Sequence, residues 1–183
     1  MMRRFCSPRT VLLLALLHFF IDLCLLRRAP QDLPAAPVLL LLVLLAGLMA
    51  SVLLSVTAGA RLDLALSRAV LDLTLALGVL AAALKWVGKP ARFTQTATAL
   101  LGADTLLGLL ALLPLTLAGT ATGGAWLLLA AALYMALLIW SVLVAAHIVR
   151  HAFSIHWLLA ACCVMIYEFF AFLLIGDLLP PQS

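Results

Sequence analysis

Asp104 in LLGADTLLGLL and Glu168 in CCVMIYEFFAF are the acids set deepest in apolar runs of this sequence. A charged side chain at membrane depth costs about 2.5–3.5 kcal/mol on insertion scales, so a carboxyl kept there marks a candidate site. The nearest basic residues, Lys85 and Arg92, fall at span ends, where their long stems can snorkel to the interface. Without a cation beside it, a carboxyl in lipid favours the neutral, hydrogen-bonded acid. Thr105, Tyr134 and Tyr167 are partners by type. The chemistry open to such a pair is proton uptake and release, as proton-coupled transport requires. The same acids also suit helix–helix glue or a docking point for a partner subunit, and a solute pathway ordinarily needs more polar lining than this chain offers.

A second cluster is AAHIVRHAFSIHW, which holds His147, Arg150, His151 and His156. His147 and His151 are four apart and share a helix face. That spacing raises a metal or haem site. A cation such as Arg150 disfavours a second one, and bis-histidine haem ligation needs histidines facing each other from different helices. The stretch therefore reads as a polar boundary between two spans, with no cofactor and no metal expected. Two further pairs have helical spacing. His18 and Asp22 can mask each other against lipid, and Arg68 with Asp72 forms an end-of-helix pair worth a few tenths of a kcal/mol.

The elements that carry these residues follow from composition. Of 183 residues, 67% are hydrophobic and 10% charged, against about 25% charged in soluble domains. A chain this short has no soluble way to bury that much apolar surface. The expected fold is all-α: a polytopic integral membrane helical bundle with the lipid bilayer as its main partner. Net charge is +4, and its Arg and Lys lie beside the spans rather than on one continuous face. They read as topology signals, and no nucleic-acid partner is expected. Cys6, Cys24, Cys162 and Cys163 show no metal-ligand spacing.

Apolar runs place spans near Val38–Ala58, Ala69–Val87, Ala97–Leu117, Ala125–Val149 and Ile155–Leu179, separated by AGAR, VGKPAR and AGTATGG breakers. An earlier run, Thr10–Leu26, has only 17 residues, about 25 Å of helix, at the lower limit for crossing. It is followed by no small-x-small cleavage site, which argues against a signal peptide. Six crossings would divide Lys and Arg five against six; if the first run lies in the interface or re-enters, the division becomes nine against two, Arg61 and Arg68. The positive-inside rule then predicts five spans with a cytoplasmic N-terminus. Two regions result: residues 1–36, a basic N-terminus with a short apolar helix (interfacial, re-entrant or a sixth span) and a Pro-rich connector, and residues 37–183, the transmembrane bundle. Gly47, Gly102 and Gly108 are positioned for close helix approach.

From Lys85 to Trp157 the chain runs through a Gly-Lys-Pro loop, the span opener RFTQTATALLGADTLLGLLALLPL, a Gly/Thr turn and ALYMALLIWSVLVAAHIVRHAFSIHW, with a last apolar span following. This order resembles the Yip family of five-span membrane proteins, especially its short bacterial members. The resemblance implies five spans and a cytosolic N-terminus, and it supplies no catalytic residues; the expected location is a bacterial inner membrane. The Asp-Leu-Tyr-Gly-Pro motif of eukaryotic members does not occur, so no Rab-GTPase-binding role carries over.

The leading functional expectation is a non-enzymatic organising or accessory membrane protein with a membrane-protein partner or a second copy of itself. The alternative is a small proton-coupled transport component using Glu168 and Asp104. A haem- or metal-binding subunit stands third. No Gly-x-Ser-x-Gly elbow, His-Glu-x-x-His pair or phosphate-cradling glycine loop points to an enzyme.

Overall fold

The computed structural model describes residues 8–120 and 123–179, with side chains from residue 15 onward. Arg3, Arg4 and the side chain of Arg9, which enter the charge count, and Cys6 lie outside that description. The described residues form six α-helices and no strand: α1 (Pro8–Cys24), α2 (Pro37–Thr57), α3 (Leu62–Trp86), α4 (Phe93–Thr120), α5 (Gly124–Phe153) and α6 (Trp157–Leu178). Each helix from α2 to α6 has at least 21 residues and is apolar enough to cross a membrane. At 1.5 Å per residue that is about 31 Å or more, matching a hydrocarbon core of about 30 Å. The protein is thus an all-α, multi-pass membrane bundle.

Two of these helices start earlier than hydropathy predicts. α3 begins at Leu62 rather than Ala69, because Asp63 sits in its first turn, bonded at 3.1 Å to Arg61 just outside it. Ser67 gives its hydroxyl to the Asp63 carbonyl, so the polar stretch that reads as loop is helix. α4 begins at Phe93 rather than Ala97. There Thr96 and Thr98 donate to the carbonyls of Arg92 and Thr94, which hides their hydroxyls within the helix.

Four helix ends share one closing geometry. In α1, α2, α3 and α5 an N–H bonds back five residues: Arg27 to Asp22, Ala60 to Ser55, Lys89 to Leu84 and Ile155 to Arg150. The residue before each donor is left-handed: Leu26, Gly59, Gly88 and Ser154. This six-to-one closure satisfies carbonyls that would otherwise be orphaned. α5 continues through Phe153, so Arg150 and His151 are on the helix rather than beyond Val149, where hydropathy ends the span. Arg92 donates to the carbonyls of His151 and Ala152 at 3.2 and 3.0 Å, and Lys89 to that of Phe153 at 2.7 Å. Cations belong at this negative end of the helix dipole.

α4 is the centre of the bundle. It packs on α2 and α5 most extensively and also touches α1 and α3. Its buried residues are mostly small: Thr96, Ala97, Thr98, Ala99, Gly102, Ala103 and Ala111. In lipid, apolar side chains gain little by leaving the solvent, so helices associate through close packing of such residues. Gly47 lets α2 approach Thr105, where an added Cβ would stand 3.1 Å from Oγ1. Gly102 receives the Phe20 ring of α1, which would lie 2.1 Å from an added Cβ, whereas Gly108 faces open space. Phe20, Leu23 and Cys24 are buried, which ties the end of α1 into the bundle.

Gly102 and Gly88 are required for different reasons, and a double-mutant experiment separates them. Gly102→Ala should cost about 1–3 kcal/mol through overpacking, and a Phe20→Leu background should remove most of that cost. Gly88→Ala, with φ +72 and no neighbour within 4 Å, should cost about 1 kcal/mol through the backbone alone. Phe20→Leu should leave that second cost unchanged in thermal unfolding of the detergent-solubilised protein.

Candidate functional site

Asp104 and Glu168 line one cavity of about 200 Å³, and a third acid, Asp72, lines it with them. Each is placed by a different helix. Asp104 is eleven residues into α4, Glu168 eleven into α6 and Asp72 ten into α3. At 1.5 Å per residue these offsets are about 15–17 Å, the midplane of a hydrocarbon core about 30 Å thick. α2 contributes Gly47 and Ser51 to the walls, and α5 contributes Ser141 and Val144, so all five long helices enclose the space.

Asp104 lies deep in the bundle, yet its side chain remains accessible because it faces the cavity. Asp72 and Glu168 are also accessible. Among the described residues none of the three carboxyls has a hydrogen bond or an ion pair, and no Lys, Arg or His lines the cavity. The charge of Asp72 reaches Asp104, and the charges of Asp72 and Asp104 reach Glu168. Carboxylates that share such a space do not all ionise without a compensating positive charge. The hydroxyl oxygen of Tyr167, on the same wall, is buried and has no hydrogen-bond partner among the described residues. A buried polar group left unpaired costs about 1–3 kcal/mol.

The partners anticipated by residue type divide. Thr105 turns its hydroxyl to the Leu101 carbonyl at 2.6 Å, within its own helix. Tyr134 is not among the cavity residues, whereas Tyr167 is. Arg68 does not pair with Asp72: its guanidinium donates to the carbonyl of Leu179 at the end of α6. Asp72 was missed as a site residue because the predicted start of its span, Ala69, made it a helix-end group. Asp63, an acid in the first turn of α3, was the available sign that the helix begins earlier and carries Asp72 to mid-depth.

The other candidate residues lie apart from the cavity lining. Asp22 sits 3.7 Å from the Arg28 guanidinium, whose charge also lies over the Phe19 ring. His18, on the same helix, is exposed. The histidine stretch holds the connector after α1 in place. His147 Nε2 is 3.1 Å from the Arg28 carbonyl, and Gln31 donates to the His151 carbonyl. The His147 and His151 rings meet edge to face at 4.6 Å. Arg150 is exposed in the last turn of α5, and His156 caps α6 by accepting from the Leu158 N–H. Among the described residues no three His, Cys, Asp or Glu side chains converge at metal-binding distance. The three cavity acids therefore line the walls without meeting at one point.

Carboxyls at this depth with no basic neighbour should react with dicyclohexylcarbodiimide, which needs a protonated acid in a poorly hydrated setting. Peptide mapping should find the adduct on Asp72, Asp104 or Glu168, with labelling reduced by Asp104→Asn or Glu168→Gln. Equal labelling of the surface acids Asp22 and Asp63 would remove the distinction. Comparison of the chain with protein-family models, characterised proteins and solved structures gives no match.

Proposed function

We propose that this multi-pass membrane protein is a small proton-coupled transport component whose exchangeable charge resides on Asp104, Glu168 and Asp72. One observation carries the reading: three acids from three helices line a single cavity at mid-membrane depth with no basic residue beside them. Glue between helices would bring each acid to a donor on a neighbouring helix, and among the described residues none has one. A group that must alternate between protonated and ionised forms needs this freedom from a fixed partner, together with access to the space where the exchange occurs.

The reading is tested in liposomes loaded with a pH-sensitive dye and clamped at a potassium diffusion potential. The wild type should move protons, and Glu168→Gln or Asp104→Asn should slow that movement at least tenfold while leaving expression and thermal stability unimpaired. No proton movement in the wild type ends the transport reading.

We further propose a bacterial inner-membrane location with the Arg92 end of the bundle in the cytoplasm. Arg27, Arg28, Lys85, Lys89, Arg92 and Arg150 gather at that end, and Arg61 and Arg68 lie toward the other. The positive-inside rule assigns the richer end to the cytoplasm. Lys89→Cys should react with an impermeant maleimide only in inverted vesicles, and Arg61→Cys only in right-side-out cells; the reverse pattern refutes the orientation.

A second reading, a non-enzymatic organising role of the Yip type with a membrane-protein partner, draws on the five-span order and on short connections between spans. It differs in expecting no proton movement and a defined partner recovered in mild detergent.

A further inference from the structure

The acidic cavity has a neighbour beyond Glu168. A second space of about 170 Å³ shares Ala76, Leu100, Ala145, Tyr167 and Glu168 with it. The remainder of its wall is apolar: Val79, Leu80 and Ala83 from α3, Val149 and Phe153 from α5, Cys163 and Val164 from α6. Along α3 and α5 these residues lead from mid-depth toward the Arg92 end. The two spaces therefore adjoin, an acidic half and a greasy half, with Glu168 and Tyr167 among the residues at their border.

Each half restricts the occupant. The acidic half wants positive charge, and among the described residues no three ligands converge there, which makes it a poor chelator of an inorganic cation. The deep carboxyl of Asp104 and the buried Tyr167 oxygen both lack a hydrogen-bond partner among the described residues, and a donor inside the cavity would satisfy them. The greasy half adds affinity only to an occupant with an apolar body. A charge buried alone is costly, but one paired with a carboxylate is tolerated.

We infer that the two spaces act as one hollow that binds an amphipathic organic monocation, an ammonium group on a short apolar body, with its charge among Asp72, Asp104 and Glu168 and its body along Val79, Ala83 and Phe153. This inference rests on the cavity reading above and names the class of molecule exchanged against the proton. Exchange balances charge: one ammonium enters as one carboxyl proton leaves. The titratable groups facing the charge are Asp72 on α3, Asp104 on α4, and Tyr167 and Glu168 on α6, with Cys163 of α6 in the greasy half. α2 and α5 offer only the Ser51 and Ser141 hydroxyls there.

The test uses the whole purified protein in detergent and measures protection of the cavity acids from dicyclohexylcarbodiimide. The probes are ammonium, the n-alkylammonium series from methyl to hexyl, and n-hexanol. Protection should tighten about fourfold per added methylene, and n-hexylammonium should outperform both ammonium and n-hexanol by at least tenfold. Ala83→Phe, which fills the greasy half, should flatten the chain-length dependence. Equal protection by ammonium and n-hexylammonium overturns the inference, as does equal protection by n-hexanol. Proton movement in liposomes without alkylammonium protection sinks this inference and leaves the transport reading intact. Protection without proton movement does the opposite, making the hollow a binding site in a protein that does not transport.

Discussion

Close approach to α4 is the constraint on which the rest of the bundle depends. In a bilayer the apolar surface of a helix gains little by leaving lipid for protein, so association relies on contact geometry. α4 supplies that geometry with a buried face of Ala, Thr and Gly, onto which α2 and α5 pack closely and the Phe20 ring of α1 seats at Gly102. The threonines can be buried there because Thr96 and Thr98 return their hydroxyls to carbonyls of the preceding turn. A helix with neighbours on so many sides carries any polar residue in its middle to the centre of the molecule. Asp104 is central for that reason, and the cavity forms around it where α3 and α6 pack less tightly.

The ends of the bundle meet a different requirement, that no backbone carbonyl be left unpaired near lipid. Four helices meet part of it with the same six-to-one closure, and α5 also receives Arg92 and Lys89 on its last carbonyls. At the opposite end Arg68 does the same for Leu179. These cations are thus committed to helix ends. The acids at mid-depth are left without them, and separation of the two signs along the membrane normal keeps the cavity acidic.

That separation also explains the polar boundary around AAHIVRHAFSIHW. Its carbonyls accept from Arg92 and Gln31, and His147 meets the connector after α1. The stretch joins α5 to the segments on either side of it, and its histidines serve that junction rather than the acidic cavity.

The sequence by itself determined the class of the protein and much of its architecture. Long apolar runs dictate five helices of membrane length, and glycines at 59 and 88 mark where two of them end, because a left-handed residue favours glycine. The depth of Glu168 was legible too, since it lies mid-run, and Asp104 reads as about two turns inside its span. What hydropathy hid were helix starts made of polar residues, at Asp63 and at Thr94, whose side chains are satisfied within the helix or beside it. Only the tertiary structure decided that Asp72 belongs with Asp104 and Glu168 and that Arg68 does not neutralise it. It also decided that Tyr167 joins these acids and that an apolar space adjoins them. The physical reason is that a span's periodicity gives the depth of a residue, whereas its neighbour across the bundle depends on helix rotation. Rotation is set by small-residue contacts distributed over five helices, and no single span encodes it.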